Sequence, residues 1–200
     1  MTTPVARQFH QRTALPASRE KDVADAAPVS RLDRVRLNDG TQVGIRLLEV
    51  ADREALTDLY DRLGEHARYQ RFFACPARLP ASWADALLDL AADRRVGLVA
   101  EPLGEPRRIV AFADYTVSPD RESAEVGLLV EDAWQQRGLG RMLFERLIAL
   151  AESRGLRVFV ACVHWNNVRT IRALDRLATI LDRRMEAGVL KFIFTRSPGA

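Results

Sequence analysis

The residues Val130-Glu131-Asp132-Ala133-Trp134-Gln135-Gln136-Arg137-Gly138-Leu139-Gly140 join a β-patterned run to an amphipathic helix through a loop rich in backbone donors. Upstream, Ala124 to Val130 is apolar and β-branched enough for a strand. Downstream, Met142, Leu143, Leu147, Ile148 and Leu150 recur at helical spacing from Arg141 to Ser153. The loop therefore feeds a helix N-terminus, where the first-turn N–H groups lack partners and the helix dipole adds positive potential, so a phosphate or pyrophosphate is the natural ligand. Two glycines that merely make a flexible turn are the alternative. As a cradle, the Gly138-x-Gly140 turn keeps side chains from colliding with a pyrophosphate.

The type of phosphate loop follows from what is missing. Position 143 is Leu143 rather than a third glycine, and no Gly-Lys-Ser/Thr triplet occurs, so the dinucleotide and P-loop fingerprints both fail. What remains, Gln135-x-x-Gly138-x-Gly140 after a strand ending in Leu129-Val130, resembles the coenzyme A pyrophosphate loop of the general control N-acetyltransferase (GNAT) superfamily. The resemblance implies acetyl-CoA as co-substrate, with Gln135, Gln136, Arg137, Gly138, Leu139, Gly140 and Arg141 around its pyrophosphate. It also implies that Leu128, Leu129 and Val130 meet the pantetheine arm, one of their N–H groups polarising the thioester carbonyl. In the absence of such a ligand these amides are ordinary ladder donors.

Glu125 is the candidate general base. It lies five residues before Val130, about 17 Å back along an extended strand, comparable with an extended pantetheine arm. Glu125, Gly127 and Leu129 share one side of the strand, and Gly127 leaves space beside the carboxylate. A lysine-like amine with a pKa of about 10.4 is nucleophilic in only about one molecule in a thousand at neutral pH, and a base removes that obstacle. A surface glutamate paired with a nearby arginine is the competing reading. The run Ala124-Glu125-Val126-Gly127 looks like the corresponding segment of bacterial Pat-type protein lysine acetyltransferases, which implies the base role. Arg68-Tyr69-x-Arg71-Phe72-Phe73 and Asp39-Gly40-Thr41 are similar to segments of the same group.

Asn167 opens the last helix where GNAT members often place an asparagine that contacts CoA; a plain N-terminal cap accounts for it equally. The chain departs from the family in having Leu174 where a tyrosine acid is common and Ala178-Thr179 in place of a Gly-Phe pair. His164 is a second choice of base, more easily read as a packed residue beside Trp165. Trp134 reads as lid or packing, while Asp114 and Tyr115 are placed to line the amine pocket.

Positioning these residues requires a mixed sheet. Val35 and Leu37, then Asn38-Asp39-Gly40, then Val43, Ile45 and Leu47 alternate across a hairpin turn. Asp52 caps a helix carrying Leu56, Leu59, Tyr60 and Leu63, and Ser82 caps a second from Trp83 to Ala92. Strands follow at Val96 to Ala100, Ile109 to Val117 and Glu122 to Val130, separated by Pro102-Leu103-Gly104 and Ser118-Pro119-Asp120. After the long helix come a strand at Leu156 to Val163, a helix at Asn167 to Leu177, and a hairpin of Ile180 to Met185 with Leu190 to Thr195. The order β-β-α-α-β-β-β-α-β-α-β-β predicts an α/β (α+β) fold: a mixed, mostly antiparallel central sheet flanked by helices. The resemblance adds a splayed strand pair forming the acyl-CoA cleft. A single domain is expected over residues 31–197, with residues 1–30, which carry Pro4, Pro16 and Pro28, as an arm.

Composition narrows the partners. The 30 cationic and 27 anionic side chains, net +3, are interspersed, so no nucleic-acid surface is implied. Cys75 and Cys162 are the only cysteines and form no Cys-x-x-Cys pair, so neither a metal site nor a disulfide is expected. Cys162 reads as a buried small hydrophobe. No run approaches 18 apolar residues and the N-terminal stretch has no apolar signal region, so no membrane partner is expected and the cytoplasm is the default compartment. The expectation is an N-acetyltransferase that moves acetyl from acetyl-CoA directly to a primary amine, foremost a protein lysine. A small-amine acetyltransferase for polyamines or aminoglycosides, and a non-catalytic acyl-CoA-binding module, are the alternatives.

Overall fold

The computed structural model describes residues 33–89 and 94–197; the arm expected over residues 1–30 lies outside them. Eight strands form one sheet: β1 (Asp33–Arg36), β2 (Gln42–Leu47), β3 (Arg95–Pro102), β4 (Ala111–Val117), β5 (Ser123–Val130), β6 (Val158–His164), β7 (Ala178–Glu186) and β8 (Val189–Arg196). Their order is β1-β2-β3-β4-β5-β6-β8-β7, antiparallel throughout except for the parallel β5–β6 pair. Helices α1 (Arg53–Arg62), α2 (Glu65–Phe72) and α3 (Ala81–Leu88) follow β2; α4 (Leu139–Ser153) links β5 to β6, and α5 (Val168–Leu177) links β6 to β7. This is the expected mixed, mostly antiparallel sheet flanked by helices.

The two-residue period of β4 divides the molecule into two layers of core. Ala111, Ala113 and Tyr115 point to one face, where Leu139, Leu143, Leu147, Ile148 and Ala151 of α4 and Leu174 of α5 complete the packing. Phe112 points to the other and meets Leu56, Leu59 and Tyr60 of α1 and Leu87 of α3. β5 alternates in the same sense: Ala124 joins the first cluster and Leu129 the second.

Three local expectations are corrected. Asp52 does not cap α1 with its side chain; its carboxylate accepts two 2.7 Å hydrogen bonds from Arg46 and one from the Glu49 amide, 2.8 Å. An arginine two strand positions from the turn outcompetes the helix amides because it brings a full charge. Helix α3 starts at Ala81 with Pro80 as its N-cap, so Ser82 sits inside the first turn; α3 ends at Leu88, and residues 90–92 of its expected extent lie outside the described residues. A further helix, α2, covers the Arg68-Tyr69-x-Arg71-Phe72 segment and buries Ala67; its stop is hidden because left-handed Phe73 (φ 53°), not glycine, ends it.

Candidate active site

The sheet opens beside the candidate base. β5 and β6 pair over three positions, Ser123 with Val158, Ala124 with Phe159 and Glu125 with Val160, and then part. Beyond that point β5 keeps β4 along one edge as far as Val130, and β6 keeps β8, while the edges facing each other diverge. Glu125 therefore stands at the apex of a V whose arms are Val126–Val130 and Ala161–His164.

Strand alternation decides which backbone groups face the opening. The Glu131 amide donates to Val110 O, toward β4, whereas Val130 O accepts from Gln135 Nε2 (3.1 Å) on the opposite edge. Counting back by twos, Val126, Leu128 and Val130 turn their N–H and C=O toward the opening, while Gly127 and Leu129 spend theirs on β4. Leu129, also buried by side chain, thus lacks a route to a ligand in the opening; Leu128 and Val130 have one.

At the wide end the chain enters the anion loop. Gln136 (φ 63°) and Gly138 (φ 88°) are left-handed two residues apart, a geometry that turns successive amides to one side. The N–H groups of residues 136–141 donate to no protein acceptor among the described residues, and α4 begins at Leu139 with its dipole behind them. Each glycine also has a neighbour on the protein side. A Cβ on Gly138 would stand 3.0 Å from Asn38 Oδ1 of the β1–β2 turn, and one on Gly140 would face Leu128 and Val130 at 3.5 and 3.6 Å. Gly138 lets the hairpin turn close on the loop, and the amides remain for a ligand.

The loop is braced on three sides. The Asn38 amide donates to Arg137 O (3.0 Å), and Arg137 Nη1 lies 3.1 Å from Asp39 Oδ2 with its guanidinium 5.2 Å from the Trp134 ring centroid. Hydrogen bonds from the Thr41 backbone and side chain hold the Asp39 carboxyl below its usual range; burial opposes them, and the Arg137 charge adds a lesser downward pull. Gln135 turns inward to Val130 O and Asp132 Oδ1, and receives Arg169 Nη1 of α5 at 2.7 Å. Arg141 is drawn along its own helix to Glu145, 2.6 Å.

Around Glu125, the space expected beside Gly127 is filled. The Arg71 guanidinium of α2 lies over that glycine, where a Cβ would come within 2.5 Å of Nη2, and Arg71 Nη2 donates to Asp114 Oδ1 at 2.8 Å. Asp114 is 3% exposed, and Arg95 Nε approaches its other oxygen at 3.8 Å, so it is a neutralised anchor for α2. Tyr115 faces the opposite cluster and does not line this side. Cys162 shares the face of Glu125; burial, then the Glu125 charge, pushes its thiol up to about 11. His164 binds Asn166 Oδ1 through Nδ1 (2.7 Å) and packs edge-on against Tyr69, 5.1 Å between centroids; Gln70 donates to the same Asn166 oxygen. Asn167 caps α5, its side chain accepting from the Thr170 amide at 3.1 Å. Leu174 is a core residue, and β7 starts directly after α5 at Ala178. Among the described residues no three His, Cys, Asp or Glu side chains converge as metal ligands, and no helix is long and apolar enough to cross a membrane.

Sequence reasoning missed Arg71 as the cover of Gly127 and Arg169 as the partner of Gln135. Arg169 had a signal, since it falls in the first turn of a helix that starts at Asn167; Arg71 stood in the Arg-Tyr-x-Arg-Phe-Phe segment, but nothing in that segment pointed it at Gly127 without α2 to carry it there.

A parallel pair that splits at a carboxylate and ends in an open anion loop defines the acyl-CoA-dependent N-acyltransferase class: the loop fits a pyrophosphate and the strand edge fits a thioester arm. The chain belongs to the acetyltransferase (GNAT) family, whose model matches residues 53–178. Its fold is similar to the GNAT domain of S. lividans PAT, with a TM-score of 0.75 and 32% identity over 85% of this chain and 99% of that one. The yncA protein of Salmonella typhimurium, solved with its cofactor acetyl-CoA, matches with a TM-score of 0.59 and 26% identity, covering 79% of this chain and 95% of its own. The L-methionine sulfoximine/L-methionine sulfone acetyltransferase of Salmonella typhimurium is 28% identical over 161 residues, 74% of this chain and 86% of that protein.

Proposed function

We propose that the protein transfers an acetyl group from acetyl-CoA directly to a primary amine, that the acceptor is a protein lysine ε-amino group, and that Glu125 is the general base. The observation that carries the reading is the position of Glu125 at the last paired register of β5 and β6, where a thioester lying along the opened edge ends. In this reading the amides of residues 136–141 hold the pyrophosphate, the open edge of β5 aligns the arm, and the Leu128 or Val126 N–H donates to the thioester oxygen as it gains charge. Glu125 accepts the amine proton as the new C–N bond forms and the CoA thiolate departs. No tyrosine stands at Leu174 to protonate that thiolate, which leaves unprotonated or takes its proton from water. A lysine acceptor draws support from the likeness to the S. lividans PAT domain, and from exposed Tyr69 and Trp165 on either side of His164 at the rim, a surface suited to polypeptide.

A small amino-acid acceptor is the second reading. It is favoured by the methionine sulfoximine acetyltransferase relative. The test is acetyl-CoA turnover on a lysine-peptide library, a protein extract, methionine sulfoximine and a polyamine panel, with products identified by mass spectrometry. Acetyl-lysine in peptides supports the proposal; acetylated amino acid with inert peptides transfers it to the second reading. Acetyl-CoA binding without turnover on any amine rejects catalysis altogether.

A further inference from the structure

The cations around the anion loop are not equivalent. Arg137 is committed to Asp39 and the Trp134 ring, and Arg141 to Glu145 one turn along α4. Each of those charges is answered by a carboxylate. Arg169 reaches the loop from α5, on the opposite arm of the V, and among the described residues it makes no ion pair. Its Nη1 donates to the neutral amide oxygen of Gln135 at 2.7 Å. A guanidinium carries five N–H donors and a permanent charge, so one neutral acceptor leaves both its charge and most of its donors unanswered. The same corner holds the free amides of residues 136–141 and the positive end of α4. Three sources of positive potential meet where the Arg169–Gln135 hydrogen bond joins the two arms, and the carboxylate beside them, Asp132, is bonded to Gln135 rather than to Arg169.

We infer that Arg169 is the side chain that binds phosphate in this cleft: it exchanges Gln135 for a phosphate oxygen of CoA, and the ligand replaces the Arg169–Gln135 latch as the bond between the arms. Arg137 then contributes its backbone N–H while its side chain stays with Asp39. The inference rests on the acetyl-CoA reading above. It leaves two sources for the anion within one ligand, the pyrophosphate and the 3′-phosphate, and differently phosphorylated donors separate them.

Calorimetry with acetyl-CoA, acetyl-dephospho-CoA and acetylpantetheine, on wild type and on Arg169→Ala, Arg169→Lys and Arg137→Ala, tests it. Arg169→Ala should weaken acetyl-CoA roughly ten- to a hundredfold, the worth of a hydrogen bond to a charged group, and leave acetylpantetheine unchanged. Arg169→Lys should recover part of the loss. Arg137→Ala should cost less than about fivefold, as for an exposed ion pair. If Arg169→Ala weakens acetyl-dephospho-CoA equally, the pyrophosphate is the partner; if it weakens only acetyl-CoA, the 3′-phosphate is. Unchanged acetyl-CoA affinity in Arg169→Ala, or an equal loss for acetylpantetheine, overturns the inference. Wild type that binds none of the three donors instead refutes the coenzyme A reading beneath it.

Discussion

Glu125 and Cys162 share a face at the apex of the split, and each constrains what the other can do. A thiol pushed up to about 11 stays protonated at neutral pH, and the thiol is the poor nucleophile of the two forms. Acetyl transfer through Cys162 is thereby disfavoured, and direct transfer to the amine is left. Cys162→Ser should keep kcat within about threefold, since the side chain supplies no step; a large loss together with a trapped acetyl-enzyme would reverse that conclusion. Glu125→Gln should lower kcat by roughly 10²–10⁴ and change CoA affinity by less than about threefold, with partial rescue as pH rises and more amine arrives deprotonated. Wild-type kcat at neutral pH would remove Glu125 as base, and a collapse of CoA affinity would make it a strand-holding residue. The same variant carries a second readout. The Glu125 charge opposes thiolate formation, so removing it eases ionisation, and the Cys162 pKa, followed by the pH dependence of alkylation, should fall.

At the scale of elements, the anion loop depends on a hairpin more than ninety residues before it in the chain. Gly138 is left-handed at φ 88° with Asn38 against it, so Gly138→Ala meets both a backbone penalty of about 1–2 kcal/mol and a 3.0 Å contact. The expected outcome is a raised KM for acetyl-CoA with kcat nearly unchanged, because the loop moves and Glu125 does not. A change in kcat alone would place the loop's influence elsewhere. The joint between β2 and α1 has its own pH signature. Burial by itself raises the Asp52 pKa, but the hydrogen bonds from Arg46 and the Glu49 amide, with the Arg46 charge, outweigh it and the net shift is downward. A lowered folded-state pKa stabilises the protein above the unfolded value near 4 and is lost as pH falls through the folded value. Asp52→Asn should therefore lower stability at pH 7 and flatten its decline below pH 4, as urea titrations across that range would record.

These elements were legible unequally. The strands showed through alternation and through the turn residues between them, and α4 through its apolar spacing, because both signals are local. Helix α2 buries Ala67 as its one fully enclosed residue and ends on Phe73, so neither a stripe nor a stop marked it. Glu125 and the loop could be placed from spacing along one strand. The cover of Gly127 by Arg71 and the reach of Arg169 to Gln135 join residues 56 and 34 positions apart, and no spacing rule encodes which arginine arrives. Whether a glycine clears room for a ligand or for a neighbouring strand has the same origin, since it depends on which way an absent Cβ points.

At the scale of the whole molecule, the opened sheet divides along one seam, with β1 to β5 on one side and β6 to β8 with α5 on the other; three strand registers, contacts at the rim and the core under α4, where Phe144 meets Phe194, join the two bodies across it. Strand hydrogen bonds cross that seam at only three registers, so beyond Glu125 the two sides are held by α4 and the rim contacts rather than by the ladder. A ligand lying along β5 and reaching Arg169 on α5 bonds to both bodies at once. It therefore stabilises the joint as well as the site. At a hundredfold excess over Kd, binding to the native state alone contributes about 2.7 kcal/mol, which for a domain of this size raises Tm by roughly 5–10 °C. Acetyl-CoA should produce that shift, ATP and NAD much less, and acetyl-CoA with Arg169→Ala an intermediate one at the same concentration. Hydrogen exchange should slow on both sides of the opening, at residues 126–130 and 136–141 and also at residues 161–170. Protection confined to the loop and β5 would mean that the ligand rests on one arm and leaves the V open. An equal thermal shift from ATP would mean that the loop selects phosphate without regard to the arm that carries the thioester.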